Sequence, residues 1–403
     1  MRSNYRAIGD YIRLVDNRNS SLKKLPLIGV SINKKFIPSV ANIIGTNMKT
    51  YKLIRKNQFA CSLMQVRRDR KIPVALFEDE EAIISQAYPV FEIKDITELL
   101  PAYLMMWMSR SEFDREACFY AVGGVRGSLE WEDFCAMQLP IPSLEKQREI
   151  VKEYQAITDR IKLNEQLNQK LEDTAQSIYK EWFVNFEFPD ENGKPYKSNG
   201  GEMEYSDELD MEIPKGWNIV PYTNIIDLKG GGTPSTEITE YWDGDIPFFT
   251  PKDVTNSIYS VKTEKNITQL GFKKSSTKIY PKNTVFVTAR GTVGSVAMSS
   301  KNMAMNQSCY AAVGKNINQF FVYQHTKKIL HRLKSHAVGG VFGALVTRDF
   351  DYYNVIKPNE LIIEEYGQLC SCIHNYVLIK QLENDKLEEM KMTLFSKMAT
   401  IKG

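Results

Sequence analysis

Residues 143–183 contain neither glycine nor proline, and their apolar side chains recur in alternating steps of four and three. This spacing is typical of a coiled-coil seam on one face of a helix. Pro140 and Pro142 favour an extended approach, and Ser143 is a suitable N-cap residue. The pattern predicts a helix of about 40 residues and about 60 Å. Its seam runs through Ile150, Tyr154, Ile157, Ile161, Asn164, Asn168, Leu171, Ala175, Ile178 and Trp182.

A second seam lies 216 residues further along the chain. It runs through Tyr366, Cys370, Ile373, Val377, Lys380, Asn384, Leu387, Lys391, Leu394 and Met398. The same shift carries the Ala-Val-Gly-Gly-Val sequence of residues 121–125 onto residues 337–341. Because solenoid repeats run about 20 to 50 residues, this longer period indicates a duplicated domain that is followed each time by a helix.

We expect the two apolar stripes to bury each other as an intramolecular coiled coil. Asn168 and Asn384 interrupt the stripes, and a buried Asn at a seam position costs stability but fixes the register of the helices. A rigid helical spacer is also suited to holding two lobes about one duplex turn apart, which is about 34–36 Å on DNA. The alternative is that the helices only dimerise or cap the lobes.

The two lobes combine short strands with helices. Strand-like patterns cover residues 60–66, 72–77, 88–93, 284–288 and 294–298, and helical patterns cover residues 99–116 and 318–335. This mixture predicts an α+β fold. A basic run at residues 67–71 and Arg290 each lie in a turn between two predicted strands. An arginine at such a tip can make two parallel hydrogen bonds to a guanine edge or hold a phosphate.

The net charge of +3 conceals an uneven distribution. Residues 1–76 hold 16 Lys and Arg against three Asp, and residues 216–355 hold 16 against nine acidic residues. The connector at residues 188–215 holds three against eight. Clustered positive charge on folded lobes favours phosphate binding, although a solvated surface can also be lopsided.

The sequence gives little evidence for a metal site, a membrane segment or a catalytic motif. The six cysteines and four histidines lack the spacing of zinc ligands. The longest apolar run, residues 99–108, is too short to span a bilayer, and the N-terminal sequence lacks the apolar core of a signal peptide. No motif for methylating a flipped adenine or for cradling ATP phosphates is present. We therefore expect a cytoplasmic protein with no metal site.

Short motifs occur in a characteristic order in each half. The first half contains Gly29-Val-Ser-Ile-Asn33, Glu112-Phe-Asp-Arg115, Trp131-Glu-Asp133 and Leu139-Pro-Ile-Pro-Ser143. The second contains Ile213-Pro-Lys-Gly-Trp217, Gly231-Gly-Thr-Pro-Ser235, Tyr241-Trp242, Gly291-Thr-Val-Gly294 and Asn306-Gln307. Each series resembles a target recognition domain of the type I restriction-modification specificity subunits. The resemblance covers essentially the whole chain.

The resemblance implies two recognition domains joined by two helices that pair antiparallel, each domain reading one half of a split site in double-stranded DNA. It divides the chain into a recognition domain at residues 1–142, a helix at 143–187, an acidic linker at 188–215, a second recognition domain at 216–358 and a second helix at 359–403. Such a subunit is not an enzyme. The alternative is a coiled-coil adaptor that binds only proteins.

The resemblance also implies partners. Two methyltransferase subunits would bring S-adenosylmethionine, and two restriction subunits would use ATP and Mg²⁺, whereas this chain would hold no cofactor. Because the first lobe lacks the Gly-Gly-Thr-Pro and Tyr-Trp elements of the second, the two half-sites should differ.

Candidate DNA contacts are cations and small polar side chains in the loops of both lobes. In the first lobe they are Lys34, Lys35, Asn47, Lys49, Arg67, Arg68, Arg70, Lys71 and Arg126. In the second they are Lys252, Lys273, Lys274, Lys278, Arg290 and Thr292. Since phosphate contacts outnumber base contacts in protein–DNA interfaces, only a few should read sequence. The best candidates for base reading are Lys35, Asn47, Arg67 and Arg290.

Overall fold

The computed structural model describes residues 5–41, 45–64, 66–121, 127–336 and 344–401. It divides into two compact units. Unit 1 comprises residues 1–160 and 386–403, and unit 2 comprises residues 161–385. Each unit therefore contains one predicted lobe together with a segment of each long helix. Most of both Ala-Val-Gly-Gly-Val segments lies outside the described residues.

Unit 1 is built from short strands and short helices that precede the first long helix. Its strands are β1 (Tyr5–Ala7), β2 (Ile12–Leu14), β3 (Leu27–Val30), β4 (Phe36–Pro38), β5 (Lys52–Arg55), β6 (Phe59–Cys61), β7 (Val74–Leu76), β8 (Glu81–Ile84), β9 (Val90–Ile93) and β10 (Gln138–Pro140). Its helices are α1 (Ile8–Tyr11), α2 (Val66–Asp69), α3 (Pro101–Met108), α4 (Ser111–Tyr120), α5 (Trp131–Ala136) and the start of α6 (Leu144–Phe183), and a 3-10 turn covers Met48–Thr50.

Two sheets pack face to face in unit 1, in the strand orders β2-β9-β6-β7 and β4-β3-β8-β5. Successive side chains of a strand point to opposite faces, so each strand of the first sheet serves two cores. Ala60 and Val90 lie in the core between the sheets. Phe59 and Phe91 lie in the core between the first sheet and the helices, where their rings stack 5.0 Å apart. Strands buried on both faces explain the continuous apolar runs of this lobe.

Unit 2 contains the connector and the second lobe. Its strands are β11 (Met203–Ser206), β12 (Met211–Pro214), β13 (Asn218–Pro221), β14 (Ile226–Gly230), β15 (Trp242–Phe249), β16 (Tyr259–Ser260), β17 (Lys265–Ile267), β18 (Ile279–Tyr280), β19 (Val285–Thr288), β20 (Val296–Ser299), β21 (Met303–Met305), β22 (Cys309–Gly314) and β23 (Asn354–Lys357). Its helices are α7 (Tyr222–Ile225), α8 (Gln269–Lys273), α9 (Gln319–His336), α10 (Arg348–Asp351) and most of α11 (Glu360–Met398), and 3-10 turns cover Thr239–Tyr241 and Pro251–Asp253.

Unit 2 repeats the layering of unit 1 with a different strand order. Its two main sheets run β14-β22-β19-β20-β16 and β17-β15-β21-β18. Phe286 points into the core between these sheets. Val285 and Val287 point the other way, into the core that the first of these sheets shares with α9 and the long helices. The predicted α+β duplication is confirmed.

The long helices pair within the chain, as predicted. In unit 2, Asn164 Nδ2 donates to Asn384 Oδ1 at 2.8 Å, and the rings of Trp182 and Tyr366 lie 5.9 Å apart. Because residue numbers rise along α6 as they fall along α11, the two segments are antiparallel. In unit 1, Tyr154 of α6 stacks on Phe395 of α11 at 5.7 Å.

The boundaries of α6 follow the sequence prediction closely. The backbone N–H of Lys146 donates to Ser143 Oγ at 3.3 Å, which is the expected N-terminal cap of α6. Near the other end of α6, Tyr179 and Phe183 are buried, whereas the seam positions Ile178 and Trp182 are only partly buried. The predicted seam is displaced there because α6 packs against α9 as well as α11.

Two local predictions were wrong. The predicted helix over residues 99–116 is interrupted after Met108, where Ser109 caps α3 and the Arg110 guanidinium lies 4.1 Å from the Trp107 ring. The predicted strand over residues 60–66 ends at Cys61, because the chain then turns into α2.

Among the helices in the described ranges, none is long and apolar enough to cross a membrane.

Candidate nucleic-acid interface

The candidate cations of unit 1 lie in loops between strands. Lys35 occupies the turn between β3 and β4, and Asn47 and Lys49 lie in the loop that precedes β5. The basic run at residues 67–71 forms α2 and the connection from β6 to β7. All of these side chains are exposed except Asp69, which is partly exposed. Arg126 lies outside the described residues.

Lys34 differs from its neighbour Lys35. Its ammonium group lies 2.8 Å from Asp114 Oδ1, and the two side chains are only 9% and 10% exposed. It also hydrogen-bonds the carbonyl oxygen of Met108. Burial lowers the pKa of Lys34, while the bond to Asp114 opposes that shift. Lys34 is therefore an internal ion-pair partner of Asp114 and does not belong to the exposed cationic surface.

Asp114, on α4, connects two of the basic loops. The carboxylate oxygen that contacts Lys34 also accepts the backbone N–H of Ile72 at 3.1 Å. The turn that carries Lys35 and the connection that ends with Lys71 therefore meet at one buried carboxylate. This arrangement fixes the backbone of both loops, while their outer side chains remain exposed.

Arg67 is held by its backbone. Its N–H donates to the carbonyl oxygen of Gly127 at 3.1 Å. Gly127 has a φ of +64°, and a Cβ at that position would lie 2.7 Å from Arg67 Cβ. Only glycine fits this close approach without strain. Arg68, in contrast, pairs with Asp69 at 2.7 Å on the surface, so its guanidinium is partly engaged.

In unit 2, the loop between β19 and β20 carries Arg290 and Thr292. Thr292 Oγ1 donates to the carbonyl oxygen of Pro251 at 3.3 Å, which places this loop against the 3-10 turn that carries Lys252. The backbone N–H of Arg290 donates to Ser308 O at 3.3 Å. Lys252 also lies 3.5 Å from Glu264, with both side chains largely exposed.

The Gly-Gly-Thr-Pro segment extends the same surface. The backbone N–H of Gly232 donates to Met305 O at 3.1 Å, and the Thr233 hydroxyl bonds the Gln307 side chain. A Cβ at Gly232 would lie 2.2 Å from Ser276 Oγ, so the segment packs directly on the loop after α8. Lys273 and Lys274 lie just before Ser276 and Lys278 just after it. The segment therefore holds neighbouring loops together and is not a phosphate-binding loop.

The loops of unit 2 therefore form one continuous series. The Lys252 turn contacts the Arg290 loop, which contacts Ser308. The neighbouring Gln307 contacts the Gly-Gly-Thr-Pro segment, which packs on the loop of Lys274 and Lys278. Nine of the candidate cations are exposed and form no side-chain hydrogen bond or ion pair with the described residues: Lys35, Lys49, Arg67, Arg70, Lys71, Lys273, Lys274, Lys278 and Arg290.

The structure gives the hydrogen-bond partners of the seam asparagines, which the sequence analysis left open. Asn384 pairs with Asn164 and not with Asn168. Asn164 is 1% exposed. The Oδ1 atom of Asn168 is buried without a hydrogen-bond partner among the described residues. All three asparagines were identified as seam positions, but the spacing alone did not give the partner.

A further group of basic residues, which was not among the predicted DNA contacts, lies at the end of α9. Lys327, Lys328, His331, Arg332 and Lys334 lie within ten residues of one another, and Lys334 reaches the Arg290 loop at Gly294. The clustering of these basic residues was visible in the sequence. Its position beside the Arg290 loop depends on tertiary packing.

Buried titratable groups are structural in character. Burial lowers the pKa of His325 to about 3, and its ring lies 3.1 Å from the hydroxyl of Tyr179. Burial also raises the pKa of the Cys309 thiol to about 12. A histidine with so low a pKa is a weak general base, and a thiol that stays protonated is a poor nucleophile.

Comparisons with known proteins point in one direction. The family model described as the type I restriction modification DNA specificity domain matches residues 24–173 and 214–391. The type I restriction enzyme MjaIX specificity subunit of Methanocaldococcus jannaschii is 31% identical over 199 residues, which cover 48% of this chain and 46% of that protein. The HindI specificity subunit of Haemophilus influenzae is 24% identical over 426 aligned positions, which cover 92% of each chain.

A solved structure matches over nearly the full length. The S subunit of a type I restriction-modification system from M. genitalium aligns with a TM-score of 0.57 and 12% identity, covering 98% of this chain and 95% of that one. The similarity supports the overall fold. The MjaIX alignment spans about half of that protein, whereas the HindI and M. genitalium alignments span almost all of theirs.

Proposed function

The chain belongs to the type I restriction-modification DNA specificity family, and from this membership we propose that each of its units reads one half of a bipartite DNA site. The chain is the non-catalytic specificity subunit of such a system. Its task is to recognise a DNA sequence. The chemistry of methylation and cleavage belongs to other subunits.

One observation carries the assignment of the DNA-binding surface. In unit 2, Lys252, Arg290, Lys274 and Lys278 lie on loops that brace one another through hydrogen bonds and close packing. Fixed backbone with exposed cationic side chains suits DNA, because phosphates can be neutralised without first ordering a flexible loop. The β3–β4 and β6–β7 loops of unit 1, joined at Asp114, supply the matching surface for the other half-site.

We assign separate tasks to the exposed residues. Arg290 follows the strand β19 and precedes Gly291, and Arg67 lies on α2 against Gly127, so the backbones of both can approach a groove closely. They are the proposed base readers, together with Lys35 and Asn47. Asn47 Oδ1 caps its own turn by accepting the Lys49 N–H at 3.1 Å, so its amide nitrogen is the atom proposed to meet a base. The remaining exposed lysines among the candidates are proposed phosphate contacts.

The two half-sites should be different sequences. Unit 1 has two sheets of four strands among its described residues, whereas unit 2 has sheets of five and four strands in another order. The brace that Gly232 and Thr233 provide in unit 2 has no counterpart in the sequence of the first lobe. Loops built on different frameworks will present different side chains to the groove.

The proposed partners follow from the family. Two methyltransferase subunits, which bring S-adenosylmethionine, would assemble with this chain to modify the site. Two restriction subunits, which use ATP and Mg²⁺, would complete the assembly. The complex would act on double-stranded DNA in the cytoplasm.

Selection from a random duplex pool tests the proposal. The full chain, alone and with its methyltransferase subunit, is incubated with the pool, and the shifted DNA is recovered and sequenced. We expect enrichment of two unlike sequence blocks separated by an unspecified gap of constant length. A chain that assembles with its partner yet enriches no sequence would instead be a protein-binding adaptor.

A further inference from the structure

A cleft of about 270 Å³ opens in unit 2 beside the Arg290 loop. One wall is the end of α9, with His331 and Lys334. The facing wall includes Asn256 and Ser257, which precede β16, and Gly294 at the end of the Arg290 loop. None of these residues was among the candidate DNA contacts predicted from the sequence.

Gly294 keeps the cleft open. Its φ is +74°, and a Cβ there would lie 2.7 Å from Lys334 Cε and 3.5 Å from Lys334 Nζ. The lysine side chain therefore occupies the space that any other residue at 294 would fill. Because Gly294 donates its N–H to Thr288 O at 2.9 Å, the same glycine also closes the Arg290 loop. The end of α9 and the proposed base-reading loop are thus packed together.

The charge of the cleft is positive where ligand would enter. Glu172 is the carboxylate among its lining residues, and it is already satisfied. It accepts the Tyr323 hydroxyl at 3.2 Å and pairs with Lys327 Nζ at 2.5 Å. Lys334 and His331 form no ion pair with the described residues and are exposed. Hydroxyl and amide groups on the facing wall add neutral hydrogen-bond donors.

We propose that this cleft binds a backbone phosphate of the DNA that flanks the half-site read by unit 2. The inference rests on the proposed function. Lysine, imidazole, hydroxyl and amide donors are the groups that contact phosphate oxygens in protein–DNA interfaces. Gly294 lies in the Arg290 loop and packs against Lys334. A phosphate bound at Lys334 would therefore fix the height and angle of the Arg290 loop over the groove. Lys334 is therefore a positioning residue, and Arg290 is the reader.

The first test compares Lys334→Gln and His331→Gln with Lys301→Gln. Lys301 is a matched control, since it is an exposed lysine of the same unit in the turn between β20 and β21, outside the cleft. Affinity for the selected duplex and for single-base variants is measured with the full chain and methyltransferase subunit over a range of salt. We expect Lys334→Gln to weaken all duplexes by a similar factor and to make the logarithmic salt slope shallower by about one. His331→Gln should weaken them in the same uniform manner, and Lys301→Gln should match the unaltered chain.

The second test locates the phosphate. Duplexes with single ethylated phosphates are bound to the unaltered chain and to Lys334→Gln. One ethylation beside the half-site of unit 2 should weaken the unaltered chain and have little effect on the variant. Thermal melting of each variant confirms folding, which these exposed positions should not disturb.

Three outcomes are decisive. If Lys334→Gln and His331→Gln both keep the original affinity and salt slope, the cleft does not contact DNA. If inorganic phosphate binds calorimetrically in the cleft and Lys334→Gln abolishes that binding without changing the DNA salt slope, the site serves a free anion and the inference is overturned. If the unaltered chain selects no sequence at all, the proposed function itself fails, independently of the cleft.

Discussion

Adjacent residues with the same charge can have opposite roles. Lys34 and Lys35 are indistinguishable by composition, yet only Lys34 is buried against Asp114. The sequence could place both in a turn between strands, but it could not supply the partner, which lies on α4 in a distant part of the chain. The position of Arg290 in an exposed loop between two strands was predictable, because its turn, its flanking strands and Gly291 are all local features.

Removing the buried carboxylate should destabilise unit 1. Asp114→Ala leaves the Lys34 ammonium without its partner and the Ile72 N–H without an acceptor, and loss of one member of a buried pair costs about 3–5 kcal/mol. Urea unfolding of the full chain measures the free energy of unfolding. The control is Asp69→Ala, which breaks the exposed pair with Arg68 and should change the stability little. Equal effects of the two substitutions would show that the Asp114 contacts are not important.

Specifying and positioning contacts should separate by mutation. Arg290→Ala should cost about 1–3 kcal/mol at its cognate base pair and relax the preference there. Lys274→Ala should weaken every sequence about equally and make the salt slope shallower by about one. Affinities for the selected duplex and its single-base variants at two salt concentrations distinguish these cases. Uniform weakening by Arg290→Ala would make that residue a phosphate contact.

At the scale of elements, the long helices were the most predictable part of the chain. The heptad spacing of both helices is a local signal, and in α6 the absence of glycine and proline and the Ser143 cap add to it, so that α6 begins and ends where these signals indicate. The displaced seam at Tyr179 and Phe183 was not predictable, because it reflects a third helix, α9. The partner of Asn384 was also not predictable, since α6 carries two seam asparagines, Asn164 and Asn168.

The two seam asparagines of α6 should respond differently to leucine. Asn164→Leu leaves Asn384 Oδ1 without its donor and should lower the free energy of unfolding by about 1–3 kcal/mol. Asn168→Leu removes an oxygen that already lacks a partner among the described residues, so it should be neutral or stabilising. Urea unfolding of both variants gives the comparison. The reverse order of stabilities would refute the assigned pairing.

The contact between α6 and α9 should make unit 2 sensitive to acid. Burial lowers the pKa of His325 from its ordinary value of 6.5 to about 3. As the pH falls from 6.5 towards 3, His325 binds a proton in the unfolded chain but stays neutral in the folded chain. The free energy of unfolding therefore decreases over this range. His325→Gln should therefore lose less stability than the unaltered chain between pH 7 and pH 5. Parallel losses, measured by urea unfolding with the exposed His331→Gln as control, would contradict this.

For the whole molecule, the duplication was visible in the sequence, but its layering was not. The 216-residue shift predicted two lobes of one kind, and both units place a core between two sheets and another against helices. The order of strands depends on non-local pairs, such as the parallel pairing of β3 with β8, that short strands do not encode locally. The sharing of α6 and α11 between the units likewise follows from packing.

Exchange of one lobe tests most directly the claim that each unit reads its own half-site. Residues 1–142 are replaced by the corresponding lobe of a relative, while α6, the second lobe and α11 are retained. The chimera and the unaltered chain, each with the methyltransferase subunit, then select duplexes from the same random pool. The proposed function predicts that one sequence block changes, while the other block is unchanged. A change in both blocks, or in neither, would contradict independent reading by two units.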